Sequence, residues 1–340
     1  MDRYAIILAA GKGTRMQSLD PDHSKVSYPI LGKPIINYVL DALEPLNFKK
    51  IVTVVGFGGE ATKELVKDKS EVVWQNEILG TGNAVQQTRP ILEDLEGETL
   101  IIYGDTPLIS SSLIKQIMRI HEKENNDLTV VSAVLSDPHG YGRLIREEKS
   151  HHLLAIREET DCDEYELDIN ETNTGICVFN NKVLFKYLDK MDNNNNRKLF
   201  YLSQLVEIFV KEGLTVGSYV AKDMVEVFGI NDRIQLSYAA KVMRKRINHK
   251  LMLEGVSMED PDSTYISPDV QIGKDTIIYP NTTIVGETVI GTSNEIGPNT
   301  VLENVKIGNN NVVKCALLAN VEIGDNETIN PYTHHREKPC

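Results

Sequence analysis

The chain has 340 residues, 41% of them hydrophobic and 25% charged, which is ordinary soluble composition and long enough for two domains with a substantial core. A net charge of −13 excludes a general polyanion-binding surface, so no nucleic-acid partner is expected and any nucleotide site has to be a local basic pocket. No apolar run is long enough for a membrane span and no secretory leader is evident, so no membrane partner is expected and the cytoplasm is the default location; Cys162, Cys177, Cys315 and Cys340 have neither metal-site nor disulfide-framework spacing.

The first predicted strand, Ile6 to Ala10, ends an apolar run that begins at Tyr4 and empties into Gly11-Lys12-Gly13-Thr14-Arg15-Met16. Two glycines let backbone N–H groups approach an anion closely, and Lys12, Arg15 and Lys25 supply positive charge, so the turn reads as a phosphate cradle. A Walker loop needs a glycine five residues before the Gly of Gly-Lys, where Ile6 stands, and a dinucleotide fingerprint needs a glycine where Met16 stands. An isolated Gly-x-Gly is also compatible with a plain strand-to-helix turn.

Ile36, Val39, Leu40 and Leu43 then repeat at helical spacing on one face. Further strands are predicted at residues 51–55, 71–74, 100–103, 128–135, 175–179 and 215–220, alternating with helical patterns, which implies an α/β sandwich on a mainly parallel sheet. Ligands in such sheets bind beyond the carboxyl ends of strands, where the glycine-rich turn and Asp105 both fall. A carboxylate emerging from an apolar strand needs a cation or donors, and magnesium suits it because that ion takes few protein oxygens and completes its shell with phosphates and water. Taken alone, Asp105 reads equally as a helix N-cap.

A helical pattern from about Asn231 to Leu253 closes the first domain, residues 1–255, and a polar linker follows over 256–263. Ile266, Ile272, Ile278, Ile284, Ile290, Ile296 and Leu302 are then spaced six apart, after which the register slips by one and resumes near Ile307, Val313, Ile323 and Ile329. A six-residue repeat fits neither helix nor simple alternation and marks a parallel β-helix, here over 264–333 with about three and a half coils of eighteen residues before a tail at 334–340.

The string Leu8 to Met16 resembles the signature of sugar-1-phosphate nucleotidyltransferases. Gln75 to Ala84, Tyr103 to Leu108, Gly140 to Arg143, Glu171 to Gly175 and Glu226 to Arg233 resemble, in order and spacing, the bacterial bifunctional N-acetylglucosamine-1-phosphate uridylyltransferases over essentially the whole first domain. The resemblance implies a Rossmann-like nucleotidyltransferase domain followed by a short left-handed parallel β-helix of hexapeptide repeats. It also implies transfer of UMP from UTP to N-acetylglucosamine 1-phosphate, with Mg2+ on Asp105 and Asn231. Arg15 and Lys25 would be catalytic; Leu8, Ala9, Ala10, Gly11, Gly13, Thr14, Gln75, Gly80 and Thr81 would bind UTP; Tyr103, Gly104, Gly140, Glu158, Asn173 and Asn231 would bind the sugar phosphate. Gln75 carries both a donor and an acceptor suited to a uracil edge, although by itself it reads as a solvated strand end.

Three departures stand out. Ser24 replaces the proline before the family's lysine, Thr160 replaces a lysine after Glu158, and Lys198-Leu199 replaces a Gly-Glu pair beside the sugar. Other sugar 1-phosphates or nucleotides therefore stay open, as does a non-catalytic subunit on the same fold, although Arg15, Lys25, Asp105 and Asn231 are all present. The run Asn193 to Asn196 reads as a flexible loop. The resemblance also implies a homotrimer through the β-helix, and a C-terminally short form lacking most of the acetyltransferase domain. No acetyl transfer is expected, since the only histidines after residue 264 are His334 and His335, which read as part of a frayed tail.

Overall fold

The computed structural model describes residues 1–20 and 23–336. Cys340 and the part of the expected tail beyond residue 336 lie outside the described residues. Contacts gather the chain into two compact units, one comprising Met1–Tyr28 with Pro34–Arg233, the other Pro29–Lys33 with the chain from Ile234 onward. Among the described residues, no helix is long and apolar enough to cross a membrane.

The first unit is built on a nine-stranded mixed sheet. Its strands are β1 (Arg3–Ala9), β2 (Lys50–Val55), β3 (Glu71–Trp74), β4 (Glu98–Tyr103), β5 (Leu128–Val134), β6 (Arg143–Arg146), β7 (Leu153–Arg157), β8 (Glu171–Asn180) and β9 (Val216–Val220). Their order is β9-β5-β8-β4-β1-β2-β3, with the hairpin β6–β7 joined to β8. β1 pairs in parallel with both β2 and β4, burying Ile6 and Ile7 on opposite faces in separate apolar clusters. β8 runs antiparallel to β4 and β5.

The sequence anticipates the strands with buried apolar runs and misses β6 and β7. Charged residues such as Arg143, Arg146 and Arg157 interrupt the apolar signal of those two strands, even though Arg143 is itself buried beside Leu144. Ile35–Leu43 forms the expected amphipathic helix, with Ile36, Val39, Leu40 and Leu43 all buried.

Glu98 opens β4 as a buried carboxylate, and its Oε2 has no hydrogen-bond partner among the described residues. Burial, reinforced by the Glu122 carboxylate and opposed by the Arg3 guanidinium, pushes its pKa up to about 7. A raised folded-state pKa means that the folded protein holds this proton more tightly than the unfolded chain. The resulting stability is present below the unfolded value of 4.5 and is lost as pH rises through 7. Glu98→Gln is expected to stabilise the protein at pH 8 by on the order of 1–3 kcal/mol and by much less at pH 4.5. Urea melts at the two pH values check this, and a pH-independent difference would refute it.

The second unit contains the helix Arg233–Leu253 from Ile234 onward and three parallel sheets of five, five and four short strands. The sequence places that helix at the end of the first domain, but Leu251, with Ile247 partly buried beside it, packs in one cluster with Val256 and the inward isoleucines. Ser257–Met258, read as linker, is already a strand paired with Ile277–Ile278. The isoleucine ladder Ile266, Ile284 and Leu302 advances by eighteen residues per coil, whereas Ile307 stacks on Ile323 after sixteen. This shortening fits four coils between Ile266 and Ile329 rather than three and a half. Asn281, Asn299, Asn304, Asn310, Asn320 and Asn326 take left-handed backbone conformations, which asparagine tolerates at tight turns. His334–Arg336, read as a frayed tail, pairs with Leu317–Ala319 as the fifth strand of its sheet.

Candidate active site

β1 delivers the chain into the glycine-rich turn, where Gly13 at φ +57° precedes a 3-10 turn, Thr14–Met16, pinned by the buried Met16. A Cβ on Gly13 would lie 2.7 Å from Lys25 Cβ, so the glycine sets how closely the turn approaches Lys25. Lys25 opens its own 3-10 turn after Ser24, whose buried hydroxyl shares a 2.7 Å hydrogen bond with Thr62. A serine is accommodated in place of the family's proline because that hydroxyl is satisfied.

Asp105 follows β4, and its carbonyl accepts the Ile230 N–H at 2.9 Å, which fixes the segment carrying Asn231 against it. Asp105 Oδ2 pairs with Lys25 Nζ, which also lies 3.3 Å from Asn231 Oδ1. Arg15 donates to the same Asn231 oxygen at 2.9 Å. Ser110 caps the helix Ser111–Glu124, so Asp105 is not its N-cap. Two hard oxygen donors thus converge on one cationic point. Among the described residues no cluster of three or more His, Cys, Asp or Glu could form an all-protein metal cage. A divalent ion that relies on substrate phosphates for the rest of its shell fits this donor set.

Lys25, Asp105 and Asn231 bound a cleft of about 270 Å³ lined also by Leu8, Ala9, Ala10, Gly11, Gln75, Gly80, Thr81 and Tyr103, whereas Arg15 reaches Asn231 from an exposed position outside that lining. Gln75 is buried and spends its amide group on the Gly80 carbonyl and Asn83 Oδ1, both at 2.9 Å. Its Oε1 is therefore the atom it can offer to a base, an acceptor rather than the donor and acceptor that the sequence suggests. Asn83, not singled out by sequence reasoning, orients that amide. Gly80 has φ +107°, and a Cβ there would come within 2.5 Å of the Phe200 carbonyl. The segments around it are laced together by Phe200 N–H to Leu79 O and Gly82 N–H to Phe200 O, each 2.8 Å.

Beyond Thr81 and Tyr103, a narrow cavity of about 30 Å³ is lined by Glu158, Asn173, Gly175 and Ser203. Ser203 donates to Glu158 Oε1 at 2.8 Å, and burial raises the Glu158 carboxyl above its usual range. Burial also raises the Tyr103 phenol. On the other side of Glu158 a polar basin of about 300 Å³ is lined by Arg157, Asp161, Asn195, Tyr201 and Gln204. Asn195, in the run read as flexible, bonds both the N–H and the carbonyl of Leu199, while Asn196 bonds Asp161 and Thr160. The loop is held because its asparagines satisfy neighbouring backbone groups, which a polar run in sequence does not reveal. Lys198 adopts φ +56° where the family has glycine.

Not every expected site residue lines these cavities. Gly104 donates its N–H to Leu8 O, joining β4 to β1, and a Cβ there would touch Ala9, Ile7 and Ile36. Gly13 and Thr14 shape the turn behind Lys25. Gly140 sits on an exposed loop with its N–H held by Glu159.

The model of the MobA-like NTP transferase domain matches residues 5–164. The Bifunctional protein GlmU of Geobacillus sp. (strain WCH70) is 42% identical over 334 residues, covering 98% of this chain and 72% of that protein. The Exiguobacterium sp. (strain ATCC BAA-1283 / AT1b) protein of the same name is 41% identical over 338 residues, 99% of this chain and 74% of its own. For Enterococcus faecalis (strain ATCC 700802 / V583) the identity is 42% over 337 residues, covering 99% and 73%.

Proposed function

Because the chain belongs to the GlmU family, as its identity with those relatives over nearly its whole length shows, we propose that it transfers UMP from UTP to N-acetylglucosamine 1-phosphate, releasing pyrophosphate. The observation that carries this reading is the convergence of Arg15, Lys25, Asp105 and Asn231 at one end of a cleft whose wall holds Gln75 and Gly80.

The acceptor phosphate is already a nucleophilic anion at neutral pH, so the residues need neither a general base nor a covalent intermediate; positioning and charge neutralisation remain. Asp105 and Asn231 would hold the divalent ion that the family uses, and we take it to be Mg2+ from the two hard oxygen donors. When bound it supplies neutralisation of phosphate charge. Lys25 and Arg15 place positive charge where the triphosphate meets the glycine-rich turn. Gln75 Oε1 accepts from the uracil N3–H. Glu158 and Asn173 face the acceptor sugar, while Gly140 offers its carbonyl, its N–H being engaged by Glu159.

A pyrophosphate-release assay over a matrix of nucleoside triphosphates and sugar 1-phosphates tests the reading. UTP with N-acetylglucosamine 1-phosphate is expected to give the highest kcat/KM. Gln75→Ala should erode preference for UTP at least tenfold, since a base site with an unmatched buried polar group loses discrimination. Equal use of ATP or dTTP by the wild type would overturn the uracil assignment.

The β-helix associates with two further copies of itself. Tyr265, Thr283, Val301 and Leu317 stack in register on one outer sheet face, and the three large side chains among them are substantially exposed. Light scattering should give about three times the chain mass of 38.1 kDa, and a monomer at micromolar concentration would count against this assembly. A cytoplasmic location suits an enzyme that consumes a nucleoside triphosphate.

A further inference from the structure

We infer that Arg143 and Glu159 form a positioning pair that locks the loop from Pro138 to Gly142, and so governs affinity for the sugar phosphate; the substrate named here rests on the uridylyl-transfer reading above. Arg143 opens β6, where it is held by pairing with Thr172 on β8 and Arg157 on β7. Its side chain is 3% exposed. From that buried position Nη1 donates to the carbonyls of Pro138, at 2.8 Å, and Tyr141. Nη2 lies 3.6 Å from Glu159 Oε1. That same carboxylate oxygen accepts the Gly140 N–H at 2.8 Å and lies 3.1 Å from His139 Nδ1.

The loop is therefore tied at several points to one buried cation and one carboxylate. Its exit is fixed separately, since the Gly142 carbonyl accepts the Asn173 N–H at 2.8 Å. Gly140, at φ +85°, takes the turn that these bonds require.

The pair adjoins the inner cavity on the Glu158 side. Glu159 follows directly on Glu158, which lines the inner cavity, so the contact that holds Gly140 also holds the turn after β7. Tyr141 rides on the clamped loop, and its phenol, raised above its usual range by burial, is acted on electrostatically by Asp105 and Arg15. The loop's exit stands against the inner cavity, since a Cβ on Gly142 would lie 3.5 Å from Glu158 Cδ and the Gly142 carbonyl holds Asn173, and a loop placed there has to be ordered before substrate arrives, because ordering it at binding would be subtracted from affinity. A buried guanidinium is costly unless its donors are met; the two loop carbonyls meet Nη1, whereas Nε has no hydrogen-bond partner among the described residues.

The test compares Glu159→Ala with Glu159→Gln, which keeps an acceptor for the Gly140 N–H, and reads both kinetics and amide hydrogen exchange of the ligand-free protein. Glu159 is only partly buried, its side chain being 23% exposed, so both variants are expected to fold, and thermal melts verify it. Glu159→Ala should raise KM for the sugar phosphate at least tenfold with KM for UTP within twofold, and should speed exchange over residues 139–142 at least tenfold. Glu159→Gln should return both readouts to within threefold of wild type. A sugar-phosphate KM within twofold of wild type in Glu159→Ala, or a parallel rise in both KM values, would overturn the positioning role. If the wild type turns over no pair of UTP and sugar phosphate, the proposed function fails on its own. Exchange then decides the clamp: faster exchange in Glu159→Ala supports it, and unchanged exchange overturns it.

Discussion

Asp105→Ala and Asn231→Ala are each expected to lower kcat by at least tenfold, and by as much as about a thousandfold, without unfolding the protein. Asp105 follows the carboxyl end of β4 and Asn231 lies in the segment before the helix Arg233–Leu253, and the backbone bond between Ile230 N–H and Asp105 O does not depend on either side chain. What the alanine variants lose is the pair of oxygens that meets Lys25 and that would hold the divalent ion. One fixed electrostatic contact of this kind is worth about 3–4 kcal/mol at the transition state.

A metal titration separates the ion-holding role from the contact with Lys25. Asp105→Asn keeps an oxygen but not the charge, so the metal concentration giving half-maximal rate should rise at least tenfold while the thermal midpoint stays close to wild type. Full activity of both alanine variants in magnesium would sink the assignment. An unchanged metal requirement in Asp105→Asn would point to Lys25 orientation as the whole effect.

Gly175→Ala is expected to be among the most destabilising single-methyl changes in the first unit. Gly175 lies in the irregular stretch of β8 between Asn173 and Cys177, with φ +77° and its N–H bonded to Asn173 Oδ1 at 2.9 Å. A Cβ would fall 2.0 Å from Tyr103 Cε2, a distance that no rotamer change of the new methyl can relieve. The left-handed backbone costs an L-residue about 1–2 kcal/mol and overpacking about 1–3 kcal/mol, so a total of about 2–5 kcal/mol is expected. Urea unfolding checks this, and a loss below about 1 kcal/mol would mean that β8 relaxes more readily than the packing implies. Because Tyr103 lines both cavities, the residual folded enzyme should also show weakened substrate binding.

Both variants probe features with different visibility in sequence. Asp105 is legible because it stands directly after an apolar run, where a carboxylate needs a reason. Gly175 is only one glycine in a predicted strand, and the aromatic ring that forbids a side chain there comes from Tyr103 on a different strand. Gln75 falls between these cases, since its position at the end of β3 is readable but the use of its amide by Gly80 and Asn83 is not.

By itself the sequence determined the glycine-rich turn, the order of the apolar strands, the amphipathic helix Ile35–Leu43 and the six-residue repeat, including its slip after Leu302. Each is written in neighbouring residues: backbone freedom at a glycine, a period of 3.6 or 6, or an unbroken apolar run decides local structure with little help from elsewhere. Only the tertiary structure decided that β8 enters the sheet antiparallel between β4 and β5, that β6 and β7 form the hairpin carrying Arg143, and that Glu158 and Glu159 face different neighbours. Arg15 and Asn231 meet across 216 residues, and Arg143 reaches Glu159 only because the hairpin folds back on itself. Such contacts arise when strands with weak local signals find the one register that buries their apolar faces and satisfies their charges together, a collective choice that no short window of sequence contains.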